Sequence, residues 1–313
     1  MKIVRFYPAL TCSNTPTPKL RENSLGEGQT ASTISATNIQ WGENKKNPLN
    51  EVLLNESKAV EHGQVPKQGV LTGSLIKEIS GDLFSDWSYT GVVYSESDVC
   101  LTVPLDVNQV IGIGKNYVGS TEELDSVQLP TLPVFFFKPK SSVIGPNDPI
   151  VIPHDLEEVK FESELAVVIG KEAKNLKESE VDEVIYGFTI GNDVTAPHYF
   201  HEDGHWTLGK SFDTFTPLGP AIVTDLNPDE VVVKAVHNGE EKQHSSTQLM
   251  IVPIRTMVAY LSRIMTLKSG DVILTGSPAG AEFLKDGDVI VCEINGIGKL
   301  SNQVVHATHP SIS

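Results

Sequence analysis

Short apolar runs rich in Val, Ile and Phe, each closed by Gly, Pro, Asn or Asp, recur along the chain from about residue 68 onward. GVLTGSLIKEI and WSYTGVVY come first. From about residue 104 the runs become dense: VNQVIGIG, PVFFFKP, DPIVIP, SELAVVIG, VIYGFTIGND, PAIVTD and DEVVVKAVHNG. Runs this short, this β-branched and this regularly punctuated predict strands. VIPHDL and the GD turns of SGDVILTG and DGDVIVCEI repeat the same order of turn then strand. The period changes in VPIRTMVAYLSRIMTLKSGD, where Ile254, Val258, Leu261 and Met265 are spaced for one apolar face of a helix. A second, shorter helix is expected over roughly APHYFHEDG, after Asp193.

The first part of the chain has another texture. Residues 2–10 read as one strand, whereas residues 11–66 are rich in Ser, Thr, Asn, Pro and charge and show little periodicity. That stretch is too long for an ordinary loop and reads as an insertion. No solenoid-type repeat is visible. The expected fold class is α+β and strand-rich: a small N-terminal domain over 1–103 that carries the 11–66 insertion, then a larger domain over 104–313.

Composition narrows the partners. Against 24 Lys and Arg stand 40 Asp and Glu, a formal net charge of -16, and no basic run interrupts them. Such a surface repels phosphate backbones, so nucleic acid is not an expected partner, and an anionic substrate needs a local positive site. No stretch approaches the roughly 20 apolar residues of a membrane span, and MKIVRFYPAL lacks the apolar core of a signal peptide. Cys12, Cys100 and Cys292 are odd in number and far apart, which predicts free thiols, a reducing compartment and a soluble cytoplasmic protein.

Candidate chemistry gathers on carboxylates. FESELAVVIG puts Glu162 and Glu164 two residues apart at the start of a strand, so both point to one face. Asp193 closes YGFTIGND, where another strand meets a turn. Three carboxylates brought together repel unless a cation joins them, and oxygen-only ligands suit Mg²⁺, with Mn²⁺ or Ca²⁺ as alternatives, better than Zn²⁺. The same spacing also fits the solvent face of an edge strand, and the pair alone does not choose between the two.

FFFKPKSSVIGPNDPIVIP, VKFESELAVVIGK, GFTIGNDVTA, HWTLGKSFDTFTPLGPAIV and GDVILTGSPAG follow one another in that order. This series resembles the fumarylacetoacetate hydrolase superfamily, most closely its acylpyruvate-hydrolase-like branch, from about residue 68 to 306. The resemblance implies a mixed β-roll catalytic domain, usually a homodimer, with Mg²⁺ on Glu162, Glu164 and Asp193. It also implies that Lys210, in KSFD, sits beside the metal and that Thr275, in TGSP, touches the substrate carboxylate. A dicarbonyl acid can chelate such a metal, which then stabilises the enolate formed on C–C cleavage, decarboxylation or tautomerisation. Lys210 adds positive charge against that enolate, and Lys138 either neutralises the far end of the substrate or caps a turn.

Two departures bear on the reaction. Hydrolytic members carry NYxxH with a Glu three residues on, a dyad that activates water; here Ser120 stands for the His, with Glu123 in place. Serine is no neutral-pH base without help, so isomerisation, tautomerisation or decarboxylation is favoured over hydrolysis. The family's Arg and Gln after the metal aspartate are replaced by Ala196-Pro197-His198-Tyr199-Phe200. His198, His201 and His205 would share one face if this segment were helical. They are then either polar residues on a lid, a transition-metal pair at His201 and His205, or a replacement base, with His201 first. GSPAG around Ser277 lacks the setting of a nucleophile elbow, and GIGKN is too short for a phosphate loop. The alternatives are an acylpyruvate-type C–C hydrolase using Glu123 or a lid histidine, and a catalytically weakened binding protein.

Overall fold

The computed structural model describes residues 1–8, 65–128, 133–202 and 205–307. Nearly all of the 11–66 insertion, and the last two positions of the expected first strand, lie outside the described residues.

The chain opens with β1 (Lys2–Pro8), β2 (Lys67–Thr72), β3 (Leu75–Gly81), β4 (Trp87–Ser95) and β5 (Val99–Thr102). It continues with β6 (Val110–Ile113), α1 (Thr121–Ser126), β7 (Phe135–Lys138), β8 (Val143–Ile144), β9 (Ile150–Ile152), β10 (Ser163–Ile169), β11 (Ile185–Asn192) and β12 (Thr216–Val223). Then follow β13 (Val232–His237), β14 (Glu240–Ser246), α2 (Ile254–Ile264), β15 (Val272–Leu274), β16 (Val289–Ile294) and β17 (Gly298–His306). The larger mixed sheet has the order β4-β3-β2-β1-β12-β11-β10-β15-β6-β7, with β5 on β1 and β8 on β12; the smaller has the order β14-β13-β16-β17-β9. The fold is strand-rich α+β, as expected. β1 pairs with β12 through Lys2↔Val223 and Ile3↔Ile222, so one sheet runs through the strands on both sides of residue 103.

β10 shows how the sequence builds the centre. Its residues SELAVVI are all buried, as suits a strand covered on both faces. Leu165, Val167 and Ile169 enter one core with α2's Ile254, Met257, Val258 and Leu261. Ala166 and Val168 face the opposite core with Ile3, Val70, Leu218 and Leu274. The two-residue period therefore puts Glu162 and Glu164 in line with Ala166 and Val168, where that face runs out of apolar cover.

Two expectations need correction. No α-helix forms among the described residues of APHYFHEDG, which hold a 3₁₀ turn at Pro197–Tyr199 and are extended at Phe200. Its backbone bonds reach across the segment instead, with Ala196 N–H donating to Gly209 C=O and His201 N–H to His205 C=O, so the three histidines share no helical face. Cys100 is disulfide-bonded, and Cys292 is a free, buried thiol, which removes the cysteine argument for a reducing compartment. No helix among the described residues is long and apolar enough to cross a membrane.

Candidate active site

The register of two strands assembles the carboxylates. Glu164 pairs with Gly191 and Ser163 with Asn192. One step on, Asp193 N–H donates to Glu162 C=O at 2.9 Å, which seats Asp193 across from Glu162. Asn192 Oδ1 accepts from Glu162 N–H at 2.9 Å and fixes the end of β10. Carboxylate oxygens of Glu162, Glu164 and Asp193 then lie within 4.8 Å of one another. Glu164 Oε2 accepts the Gly276 N–H at 2.6 Å. Gly276 has φ +98°, and a Cβ there would lie 2.6 Å from Asn116 Cβ, so this close approach requires glycine. Asn116 ties the same turn down, donating to Thr275 C=O at 2.8 Å and Val252 C=O at 3.1 Å.

Two lysines enter the cluster. Lys138 Nζ, fully buried, donates to Asp193 Oδ1 at 2.6 Å and to Val194 C=O at 3.1 Å. Lys210 Nζ donates to Asp193 Oδ2 at 2.5 Å and Glu162 Oε2 at 2.7 Å, and stands 5.0 Å from the centre of the Phe136 ring. Burial works against charge on both Lys210 and Asp193. The mutual attraction of lysines and carboxylates outweighs it, so Lys210 is held above its ordinary range and Asp193 below its own. Glu164 differs. Burial first, then the charges of Asp193 and Glu162, push it well above the usual carboxylate range. Burial also raises Glu162 and lowers Lys138 from their ordinary ranges, so three carboxyl groups share two lysines, neither of which bonds Glu164. Convergent oxygens and a carboxylate starved of cation fit a hard divalent metal ion.

A cavity of about 250 Å³ opens above this floor. Phe136, Phe200 and Trp206 wall one side, and Lys115 and Ser277 also line it. Trp206 stacks on Phe200 at 5.7 Å and meets Phe136 edge-on at 5.9 Å. Its ring lies against Gly114, where any Cβ would overlap the indole.

The sequence-singled residues are thus sorted by position. Glu162, Glu164, Asp193 and Lys210 meet at the floor. Lys138 lies beneath it, bonded to Asp193 and Val194 instead of facing the far end of a substrate. The Thr275 hydroxyl is buried and donates to Leu165 C=O at 2.8 Å. Ser277, two residues on, lines the cavity instead, its Oγ accepting from Gln243 Nε2 at 2.7 Å. Glu123 is exposed and caps α1: its carboxylate accepts the Gly119 N–H at 2.8 Å, while Ser120 Oγ accepts the Glu123 N–H at 3.2 Å. His198 pairs with Glu158 at 2.9 Å, and His201 is exposed; neither lines the cavity. Sequence reasoning missed Lys115, Ser277 and the aromatic wall. TGSP and GIGKN carried the first two, but which residue of a turn faces a cavity is not a matter of period.

The family model described as fumarylacetoacetate (FAA) hydrolase C-terminal matches residues 109–305. An oxaloacetate tautomerase of Xenopus laevis mitochondria is 41% identical over 226 residues, covering 68% of this chain and 70% of the relative. The crystal structure of a 5-carboxymethyl-2-hydroxymuconate delta-isomerase from Mycobacterium smegmatis superposes with a TM-score of 0.73 at 40% identity, covering 77% of this chain and 96% of the other. A maleylpyruvate hydrolase from Sphingobium sp. SYK-6, solved with manganese(II) and pyruvate, superposes with a TM-score of 0.66 at 28% identity, covering 77% and 97%.

Proposed function

Because the chain belongs to the fumarylacetoacetate hydrolase family, we propose that it is a Mg²⁺-dependent tautomerase or isomerase of a short, enolisable keto acid, with oxaloacetate as the first substrate to test. The observation that carries this reading is the fate of the water-activating pair. Ser120 and Glu123 are engaged with each other and with Gly119 at the N-terminus of α1, outside the residues that line the cavity. Keto–enol exchange needs an enolate and a proton, not an activated water. A divalent ion on Glu162, Glu164 and Asp193 supplies Lewis-acid stabilisation of the enolate when bound; Mn²⁺ or Ca²⁺ suits the same oxygen set. Lys210 lies at the cavity floor, where its ammonium, held in its charged form by Asp193 and Glu162, faces developing negative charge. Phe136, Phe200 and Trp206 keep that side of the cavity apolar, which strengthens both effects. Likeness to an oxaloacetate tautomerase and to a 5-carboxymethyl-2-hydroxymuconate delta-isomerase supports the class.

A C–C hydrolase is the second reading, favoured by the likeness to maleylpyruvate hydrolase and by the retained Glu123. A cytoplasmic homodimer completes the proposal. The mitochondrial name of the Xenopus laevis relative makes cell fractionation the test of compartment, and light scattering tests assembly. The reaction is tested by following the enol absorbance of oxaloacetate with Mg²⁺, and by assaying acylpyruvates for new carboxylate. Faster enol loss without cleavage is expected; cleavage without any effect on tautomerisation overturns the reading in favour of the hydrolase.

A further inference from the structure

We propose that Lys115 recognises the far end of the substrate, and that the site therefore takes a short keto diacid in preference to a keto acid with an uncharged tail. This rests on the tautomerase reading for the near end of the substrate alone. Lys115 lines the same cavity as Glu162, Glu164, Asp193 and Lys210. The other two lysines of the site are already neutralised: Lys138 by Asp193, and Lys210 by Asp193 and Glu162. Lys115 makes no ion pair among the described residues, so it is the cavity cation that protein carboxylates leave available. On a chain of net charge -16, a second substrate carboxylate has few other places to find attraction.

The backbone supports a dedicated position. Lys115 has φ +53°, in the left-handed region that glycine or asparagine adopts far more readily than lysine. Neighbours on both sides hold it there. Gly114 N–H donates to Val134 C=O at 3.0 Å, and the Asn116 side chain bonds Thr275 and Val252. Gly114 also seats Trp206, and the wall of Trp206, Phe200 and Phe136 confines the cavity to about 250 Å³. One corner of the chain thus limits tail length through Gly114 and supplies a charge for its end through Lys115.

The test uses full-length protein loaded with Mg²⁺ and a size-matched pair of acids: α-ketoglutarate, with a terminal carboxylate, and α-ketovalerate, with a methyl. Oxalate probes the near end alone. In calorimetric titration, Lys115→Gln and Lys115→Gly should weaken α-ketoglutarate about tenfold or more, the scale of one charge-assisted hydrogen bond. Both should leave α-ketovalerate and oxalate within about twofold, and Lys115→Arg should retain the diacid preference. Lys115→Gly should also melt no lower than wild type, because glycine accepts the left-handed backbone without strain; a merely structural lysine would not combine that result with a loss confined to the diacid. Equal weakening of both keto acids, or wild-type protein that does not prefer α-ketoglutarate, overturns the proposal. Failure of wild type to bind oxalate overturns the near-end reading instead, and a Lys115-dependent diacid preference would survive it.

Discussion

Glu164 and Asp193 flank the same space, yet their surroundings are opposite. Asp193 has an ammonium on each oxygen, whereas Glu164 accepts a backbone N–H and faces two like charges. Removing each should therefore do different things to the apo protein. Glu164→Gln should lower Mg²⁺ affinity by at least about 100-fold, the upper end of losses from disturbing outer-shell partners alone. It should leave the apo melting temperature unchanged or raised, since it replaces a buried carboxyl group whose ionised form burial and its neighbours already disfavour. Asp193→Asn should lose metal affinity as well, and should also destabilise the apo protein by about 3–5 kcal/mol, because Lys138 and Lys210 are left buried without their shared partner. Calorimetry with thermal melts checks both; equal apo stability in the two variants would show that the lysines do not depend on Asp193. The two-residue strand period and a strand-ending Asp singled out the three carboxylates, but it was the family resemblance and not the spacing that implied their meeting. Their inequality was not legible, because it is set by Lys138 and Lys210, which are 55 and 17 residues away from Asp193 in the chain.

At the scale of elements, apolar runs identified most strands, and Ile254, Val258 and Leu261 of the expected helix face are buried in α2, while Met265, the fourth, is a half-buried, extended cap just past its end. Elements without such runs escaped. β14 reads EEKQHSS, and its inward residues are Gln243 and Ser245, polar groups whose burial depends on partners from other strands. Gln243 bonds Ser163 N–H, Ser277 Oγ and Pro278 C=O, contacts no local pattern discloses. The expected lid helix failed because its backbone groups pair across the segment with Gly209 and His205. Around α1, the cap separates structure from chemistry. Ser120→Ala should cost about 1 kcal/mol, as a lost N-cap does, with tautomerase turnover unchanged; a fall in turnover beyond the lost stability would return the hydroxyl to the reaction. Ser120→His places a base of suitable pKa beside Glu123 and should raise acylpyruvate hydrolysis above wild type. If wild type already cleaves acylpyruvates and Ser120→Ala matches it, water is activated elsewhere.

For the whole molecule, the larger sheet passes from β4 through β1 and β12 to β10 and on to β7, so the strand bearing the acidic floor lies inside one continuous ladder. The β1–β12 pairing joins residues more than two hundred positions apart, a contact that a single sequence cannot disclose because either strand could pair with many others. A consequence is that the metal site and the central sheet should unfold together. An ion that binds the native floor, and not the unfolded chain, stabilises the protein by about 2.7 kcal/mol at a concentration 100 times its Kd. For a chain of 313 residues each kcal/mol shifts the melting temperature by roughly 1.5 °C, so Mg²⁺ at that concentration should raise it by about 4 °C, and chelation should reverse the shift. The increase should appear by far-ultraviolet circular dichroism and by calorimetry alike, since the floor is built into β10 and the turn after β11. Glu164→Gln should abolish it without lowering the apo value. A rise of equal size in wild type and Glu164→Gln would place the ion elsewhere on this acidic surface, and no rise in wild type would separate the carboxylate floor from metal binding altogether.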